Sequence, residues 1–155
     1  ITNVIKKPWP IEILNIKLYD YNNQAVSFKE LLAKYKNAPI VLDHWATWCG
    51  PCIDEFTNGK EVVSLLKTKG LQFVYISIDK KNAINQMNKL ITQYQLDSYR
   101  MEVKDYVVYS NYLNLRSIPR YILLNEKDGY VLNIDLPKPS TNSEFRGVLN
   151  QTLVP

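Results

Sequence analysis

Cys49 and Cys52 are the whole thiol inventory of this 155-residue chain, set three residues apart in Trp48-Cys49-Gly50-Pro51-Cys52. A pair at this spacing can form a structural disulfide, supply half of a metal site, or exchange electrons with another thiol pair. Structural zinc takes four ligands, and the single histidine of the chain does not make up the deficit. A bridge closing so short a loop restrains little of the unfolded chain. Redox exchange is the reading that the surroundings favour. Ile40 to Trp45 is a short, nearly continuous apolar run, as expected of a strand buried on both faces of a parallel sheet. Phe56, Val62, Val63, Leu65 and Leu66 then mark a helix closing near Gly70. Cys49 therefore falls at a helix N-terminus, with Cys52 about one turn further in. Unpaired backbone N–H groups and the helix dipole should lower the Cys49 pKa below the free value of about 8.5. The thiolate is the form that attacks a disulfide, and Cys52 is placed to resolve the mixed disulfide that results.

Other polar residues near the pair invite roles. Asp43 lies in a strand otherwise built of Ile, Val, Leu and Trp, where burial would raise its pKa and let it act as general base for Cys52; a strand-end Asp facing water is the alternative. Glu55 sits three residues after Cys52, on the same side of the helix. On spacing alone it reads as a glutamate that complements the helix dipole. His44, adjacent to Asp43 in a strand, must point to the opposite face and reads as a packed histidine. Trp48 is expected to flank the site as an exposed apolar contact, and Trp45 to lie in the core. Tyr106, Tyr109 and Tyr112 recur along one helical edge, as tyrosines half-buried at a core rim do; lining a substrate groove is the alternative.

These residues need a frame. Ile11, Ile13, Ile16 and Leu18, followed by Asn22-Asn23, predict an N-terminal strand entering a turn. Ser27 with Glu30 forms a capping box for a helix through Phe28, Leu31, Leu32 and Tyr35 that ends near Asn37. Leu71 to Ile78 is a second buried strand, and Ile84, Met87, Leu90 and Ile91 predict a helix over 82–94. Strand, helix, strand, helix at these lengths implies a βαβ unit with a right-handed crossover. Residues 97–104 are a short strand or loop, and a short helix spans 106–115. Tyr121–Leu124 and Tyr130–Ile134 flank Lys127-Asp128-Gly129, a hairpin signal. Thr141 with Glu144 is read as a second capping box, opening the last helix. A single α/β domain over 1–155, with its core at about 12–150, is the economical organisation.

Composition narrows the function classes. The chain is 46% hydrophobic and 22% charged, with 5 Gly and 8 Pro, which is the profile of a globular protein. Two cysteines are too few for a disulfide-dense secreted module. The net charge of +4 is spread over short pairs such as Lys6-Lys7 and Lys80-Lys81, whereas nucleic-acid binding calls for a basic stripe. No apolar run approaches the ~18 residues of a membrane span. The chain starts at Ile1 and not at Met, which suggests a processed or trimmed form whose upstream signal or anchor would be out of view.

The segment Val41-Leu42-Asp43-His44-Trp45-Ala46-Thr47-Trp48-Cys49-Gly50-Pro51-Cys52 resembles the active-site segment of the thioredoxin superfamily. More narrowly, it is similar to the TlpA/ResA-like branch of extracytoplasmic thiol-disulfide oxidoreductases. Glu55 after the second cysteine, the length between Cys52 and Pro119, and Ser117-Ile118-Pro119 before the hairpin carry the narrower likeness. The resemblance implies a thioredoxin fold: a central mixed β-sheet flanked by helices, with an N-terminal β extension and a strand and helix inserted between the cysteines and a cis-Pro loop. It implies catalytic Cys49, Cys52, Asp43 and Glu55, and substrate contacts from Trp48, Gly50, Pro51, Ile118 and Pro119, with a cis Ile118–Pro119 bond. No metal or organic cofactor is implied. Its partners would be a disulfide-containing polypeptide and a membrane-embedded or other thiol electron donor, in a periplasmic or extracytoplasmic setting. Two departures stand out. Thr57 occupies a position where branch members often carry a helix-kinking proline, and His44 stands where an aromatic residue is usual. The Gly-Pro dipeptide is that of reducing thioredoxins, so a reductase is expected. An oxidase or isomerase of secreted proteins, and a binding module with little turnover, are the alternatives.

Overall fold

The computed structural model describes residues 8–153, leaving the Lys6-Lys7 pair outside them. The chain runs α1 (Ile11–Leu14), β1 (Lys17–Tyr19), β2 (Ala25–Ser27), α2 (Phe28–Lys34), β3 (Ile40–Trp45), α3 (Gly50–Asn58) and α4 (Lys60–Thr68). It continues through β4 (Gln72–Ser77), α5 (Ile84–Tyr94), β5 (Ser98–Met101), α6 (Val103–Leu113), β6 (Arg120–Leu124), β7 (Val131–Asn133) and α7 (Ser143–Leu153). The strands form one mixed sheet in the order β2-β1-β5-β4-β3-β6-β7. β3, β4 and β5 are parallel, while β6 runs antiparallel to β3 and β1 antiparallel to β5. All six residues of β3 are buried, which is why that strand reads as a nearly unbroken apolar run: helices cover both of its faces.

Alternation along β3 divides the core in two. Ile40 and Leu42 face a cluster built with α1, α2 and α6, through Ile13, Phe28, Leu31 and Tyr109. Val41 and Trp45 face a second cluster that holds both cysteines, with Phe56 of α3, Val62 of α4, Ile91 of α5 and Phe145 of α7. Fully burying a side chain of this size contributes roughly 1.5–3 kcal/mol. The two clusters therefore clamp β3 from both sides, fixing the end of the strand from which the cysteine loop departs.

Several expectations need correction. Ile11 to Leu14 is a helical turn and not strand, because the Pro10 carbonyl accepts from the Ile13 and Leu14 amides; the strand starts only at Lys17. The single helix expected from the cysteines to Gly70 is two, broken at Gly59. The break falls two residues beyond Thr57 and needs no proline. A Cβ on Gly59 would lie 2.9 Å from Pro139 Cβ and 3.0 Å from the Glu55 carbonyl oxygen, so a 3-10 turn at Pro139–Thr141 presses against the chain there. Thr141 does not cap the last helix, since its hydroxyl donates to the Lys138 carbonyl 2.6 Å away and α7 begins only at Ser143. The Ser27–Glu30 capping box, the 98–101 strand and the antiparallel β6–β7 pair are present as expected or allowed.

Candidate active site

The site is assembled at the C-terminal end of β3. Chain direction reverses through Ala46–Trp48, and Cys49 caps α3, its Sγ accepting from the Cys52 amide at 3.2 Å. Pro51 occupies the first turn, where its missing N–H costs no helical hydrogen bond. Cys49 and Cys52 are joined in a disulfide with 5.3 Å between their Cα atoms. Both sulfur-bearing residues are buried, at 5% and 1% exposure, whereas Trp48 is 68% exposed. Gly50 and Pro51 are exposed, and a Cβ on Gly50 would meet nothing within 4 Å. The dipeptide between the cysteines is thus open to a partner. Cys52 Sγ lies 3.9 Å from the His44 carbonyl oxygen, a ready acceptor once the thiol is reduced.

The preceding loop is held by a residue that the sequence reading missed. Asp79, 1% exposed, follows β4 and accepts from the Thr47 amide, the Thr47 hydroxyl (2.7 Å) and the Ser77 hydroxyl (2.7 Å). Three donors on one buried carboxylate fix the loop that carries Trp48 and Cys49. A buried acid at the end of an apolar strand was the available signal. Below the loop, the Trp45 indole N–H donates to Ser98 Oγ at 3.0 Å, and the Trp45 ring meets Phe56 edge-on.

Asp43 and His44 take opposite faces of β3, as alternation requires. Asp43 is 4% exposed and its Oδ1 has no hydrogen-bond partner. It pairs across the sheet with Tyr75 of β4 and Tyr121 of β6, and the Tyr121 hydroxyl is also buried without a partner. Burial, and next the charge of Glu55, hold the Asp43 carboxyl well above its ordinary value of 3.8. A cavity of about 140 Å³ reaches Asp43 and Glu55, with Lys60, Ser64 and Lys67 among its other lining residues. Glu55 itself is buried and receives the Ser140 amide at 3.0 Å and the Ser140 hydroxyl at 2.5 Å.

His44, fully buried, is saturated: Nδ1 lies 3.0 Å from the Arg120 carbonyl and Nε2 2.7 Å from the Tyr109 hydroxyl. Only a ring proton on Nδ1 satisfies that carbonyl, so Nε2 accepts from Tyr109. Burial lowers the His44 pKa to about 4. It is the packed histidine expected from its place in the strand. Tyr109 corrects the rim expectation, since it is fully buried against Trp9 and Phe28. Tyr106 is half-buried. It joins Trp48, Ile78, Ala83, Val103 and Val107 in lining an apolar groove of about 540 Å³ beside the cysteine loop.

The Ile118–Pro119 peptide is cis, as the resemblance implied. Ile118 packs against the cluster that contains both cysteines, so β3, α3 and the loop before β6 converge on the disulfide. Among the described residues no group of three or more acidic, His or Cys side chains could hold a metal ion, and no helix is long and apolar enough to cross a membrane.

Residues 37–131 match a family model described as thioredoxin-like. The chain belongs to the thioredoxin-like family. Its likeness within the family is to the TlpA/ResA-like members. The thiol-disulfide oxidoreductase ResA of Bacillus thuringiensis is 29% identical over 80 residues, covering 48% of this chain and 44% of that protein. The match thus spans less than half the length of that ResA protein. A solved structure of a candidate thiol-disulfide oxidoreductase from Bacteroides vulgatus is 30% identical, with a TM-score of 0.65 over 88% of this chain and 87% of its own. A candidate thiol:disulfide interchange protein DsbE from Chlorobium tepidum, 20% identical, shares the thioredoxin fold with a TM-score of 0.62 over 88% of this chain and 92% of its own.

Proposed function

We propose that this chain is a thiol-disulfide oxidoreductase working as a reductase of protein disulfides. The observation that carries the reading is the Cys49–Cys52 disulfide capping α3, backed by a buried Asp43 carboxyl whose Oδ1 has no hydrogen-bond partner. In the reduced protein the Cys49 thiolate, receiving the Cys52 amide, attacks one sulfur of a target disulfide. A Cys49–target bond forms, the target's own S–S bond breaks, and its other sulfur leaves as a thiolate that takes a proton from solvent. Cys52 then passes its proton to the Asp43 carboxylate and attacks Cys49 Sγ. The Cys49–target bond breaks as the Cys49–Cys52 disulfide forms, and the second target sulfur leaves as a thiolate that takes a proton from solvent, so that the target departs with both sulfurs reduced. A raised pKa makes Asp43 a stronger base than an ordinary carboxylate, which suits the removal of a thiol proton near neutrality.

The exposed Trp48 and the open Gly50-Pro51 dipeptide support an approach from the solvent side, with Ile118 and Pro119 completing the rim. The groove beside Trp48 is wide enough to seat an apolar side chain of the substrate polypeptide. Re-reduction falls to a membrane-embedded or other thiol donor, in an extracytoplasmic setting. These assignments rest on the named relatives together with the dithiol.

Insulin reduction and the equilibrium potential test the reading together. Wild type should reduce insulin, Cys49→Ser should not, and the potential should lie near the about −270 mV of thioredoxin. A value near the about −120 mV of DsbA would reverse the direction, and an unreactive Cys49 would leave a binding module. Cys52→Ser expressed in the native host should trap the substrates as mixed disulfides on Cys49.

A further inference from the structure

The mechanism above uses Asp43 and leaves Glu55 without a task, although both acids line one cavity. Their surroundings differ in one respect that decides which of them can move a proton. Glu55 is engaged on both oxygens by a single residue, Ser140, whose amide and hydroxyl each donate to it. A carboxyl group that receives a donor on each oxygen is serving as an acceptor, the part played by its ionised form. Asp43 has the reverse arrangement, with one oxygen buried and no donor on it. Ser140 lies 85 residues from Glu55 in the chain and reaches it because the Pro139–Thr141 turn packs where α3 breaks at Gly59.

We propose that Ser140 is a positioning residue for the proton step, holding Glu55 as a standing negative charge so that Asp43 alone exchanges a proton with Cys52. The proposal rests on the thiol-disulfide reading and adds a division of labour to it. Two acids in one cavity would otherwise compete for the proton, and a proton resting on Glu55 is one turn of helix away from the thiol that must lose it. The other groups around Asp43 leave this division intact. Tyr75 of β4 and Tyr121 of β6 are held protonated by burial, their hydroxyl pKa values raised well above the ordinary 10.0. Lys60 and Lys67 of α4 are exposed, and Tyr94 of α5 completes the titratable lining of the cavity.

A single-turnover reaction with a stoichiometric aryl disulfide, Ellman's reagent, separates the steps. The first coloured thiolate leaves when Cys49 forms the mixed disulfide, and the second leaves when Cys52 displaces it. The second phase reports the proton step, the first reports the reactivity of Cys49 alone, and the far-UV circular dichroism of each variant checks its folding. In wild type, Asp43→Asn should slow the second phase about a hundredfold, within the usual range for general acid–base groups. Glu55→Gln should move the pH midpoint of the second phase downward, since removing the neighbouring negative charge makes Asp43 easier to ionise. Ser140→Ala removes the hydroxyl and keeps the amide, so Glu55 loses one of its two donors and takes a share of the proton; in this background Asp43→Asn should cost less, about tenfold. Ser140→Thr, which keeps the hydroxyl, should restore the wild-type penalty.

Infrared difference spectra give a second readout that needs no variant at Ser140. A protonated-carboxyl band should vanish in Asp43→Asn and persist in Glu55→Gln. A band lost in Glu55→Gln would overturn the proposal, as would an Asp43→Asn penalty and a pH profile that Ser140→Ala leaves unchanged. Absence of the first phase in wild type would instead sink the thiol-disulfide reading itself.

Discussion

Asp43 and His44 are neighbours on β3, equally hidden from solvent, and the protein treats them in opposite ways. His44 has a partner on each ring nitrogen, and its burial holds it neutral against the aromatic cluster around Tyr109. Asp43 keeps an unpaired oxygen in a cavity that it shares with a second acid. A satisfied buried polar group specifies structure, whereas an unsatisfied one is a cost that function can explain. Strand alternation places the two on opposite sides of the sheet, so that one face of β3 serves the architecture and the other the chemistry.

The sharpest break of this contrast is His44→Ala. It orphans the Tyr109 hydroxyl and the Arg120 carbonyl and opens a cavity, so it should cost about 4 kcal/mol in chemical denaturation. The pH profile of the resolving step should stay where it is. If that profile moved, the two faces would not be independent.

Acid titration comes next. His44 has a folded pKa near 4 against an ordinary 6.5, so the unfolded state binds its proton first. Stability from this group is full above about 6.5 and is lost as pH falls toward 4, by an amount of order 3 kcal/mol. Asp43 has the opposite sign. Its folded pKa is raised, so its contribution is full below the unfolded value and is lost as pH rises through the folded one. Denaturation midpoints measured across this range should lose their acid-side slope in His44→Gln, and a slope that persists would assign the acid limb to another group.

Asp43→Asn should leave stability at neutral pH unchanged or raised, because the buried acid is already a burden there. The hundredfold loss in the resolving step corresponds to about 2.7 kcal/mol of barrier, and a variant that is both slow and unstable would blur the division. Thr47→Val removes one donor from Asp79 and should cost about 1 kcal/mol, read as a lower thermal midpoint with Cys49 reactivity retained. Smallest in stability is Trp48→Ala. An exposed side chain should change unfolding by less than about 0.5 kcal/mol, while KM for a polypeptide disulfide rises several-fold and that for a small disulfide does not.

Local pattern revealed a large share of this. The buried β3, the capping box at Ser27, the hairpin around Asp128 and the placement of Cys49 at a helix start all follow from periodicity and turn chemistry. The cis Ile118–Pro119 bond came from resemblance and not from any local signal. What stayed hidden depends on distant partners. Ile11 and Ile13 alternate like a strand, but a segment of four residues is too short for its period to decide, and capping by the Pro10 carbonyl makes it a helical turn. Thr141 and Glu144 have capping-box spacing, yet the Lys138 carbonyl claims the threonine hydroxyl. Nothing near Glu55 announces Ser140, and nothing near Asp43 announces that its oxygen is left bare.

Gly59 contributes only the space where a methyl group would be. Any larger residue must push against Pro139 or the end of α3, wedging apart two stretches of chain that the Glu55–Ser140 hydrogen bonds hold together. The cysteine-bearing helix is thereby latched to the C-terminal portion of the protein, and an insertion or truncation there would reach the active site as a mechanical disturbance without touching a residue that carries out chemistry.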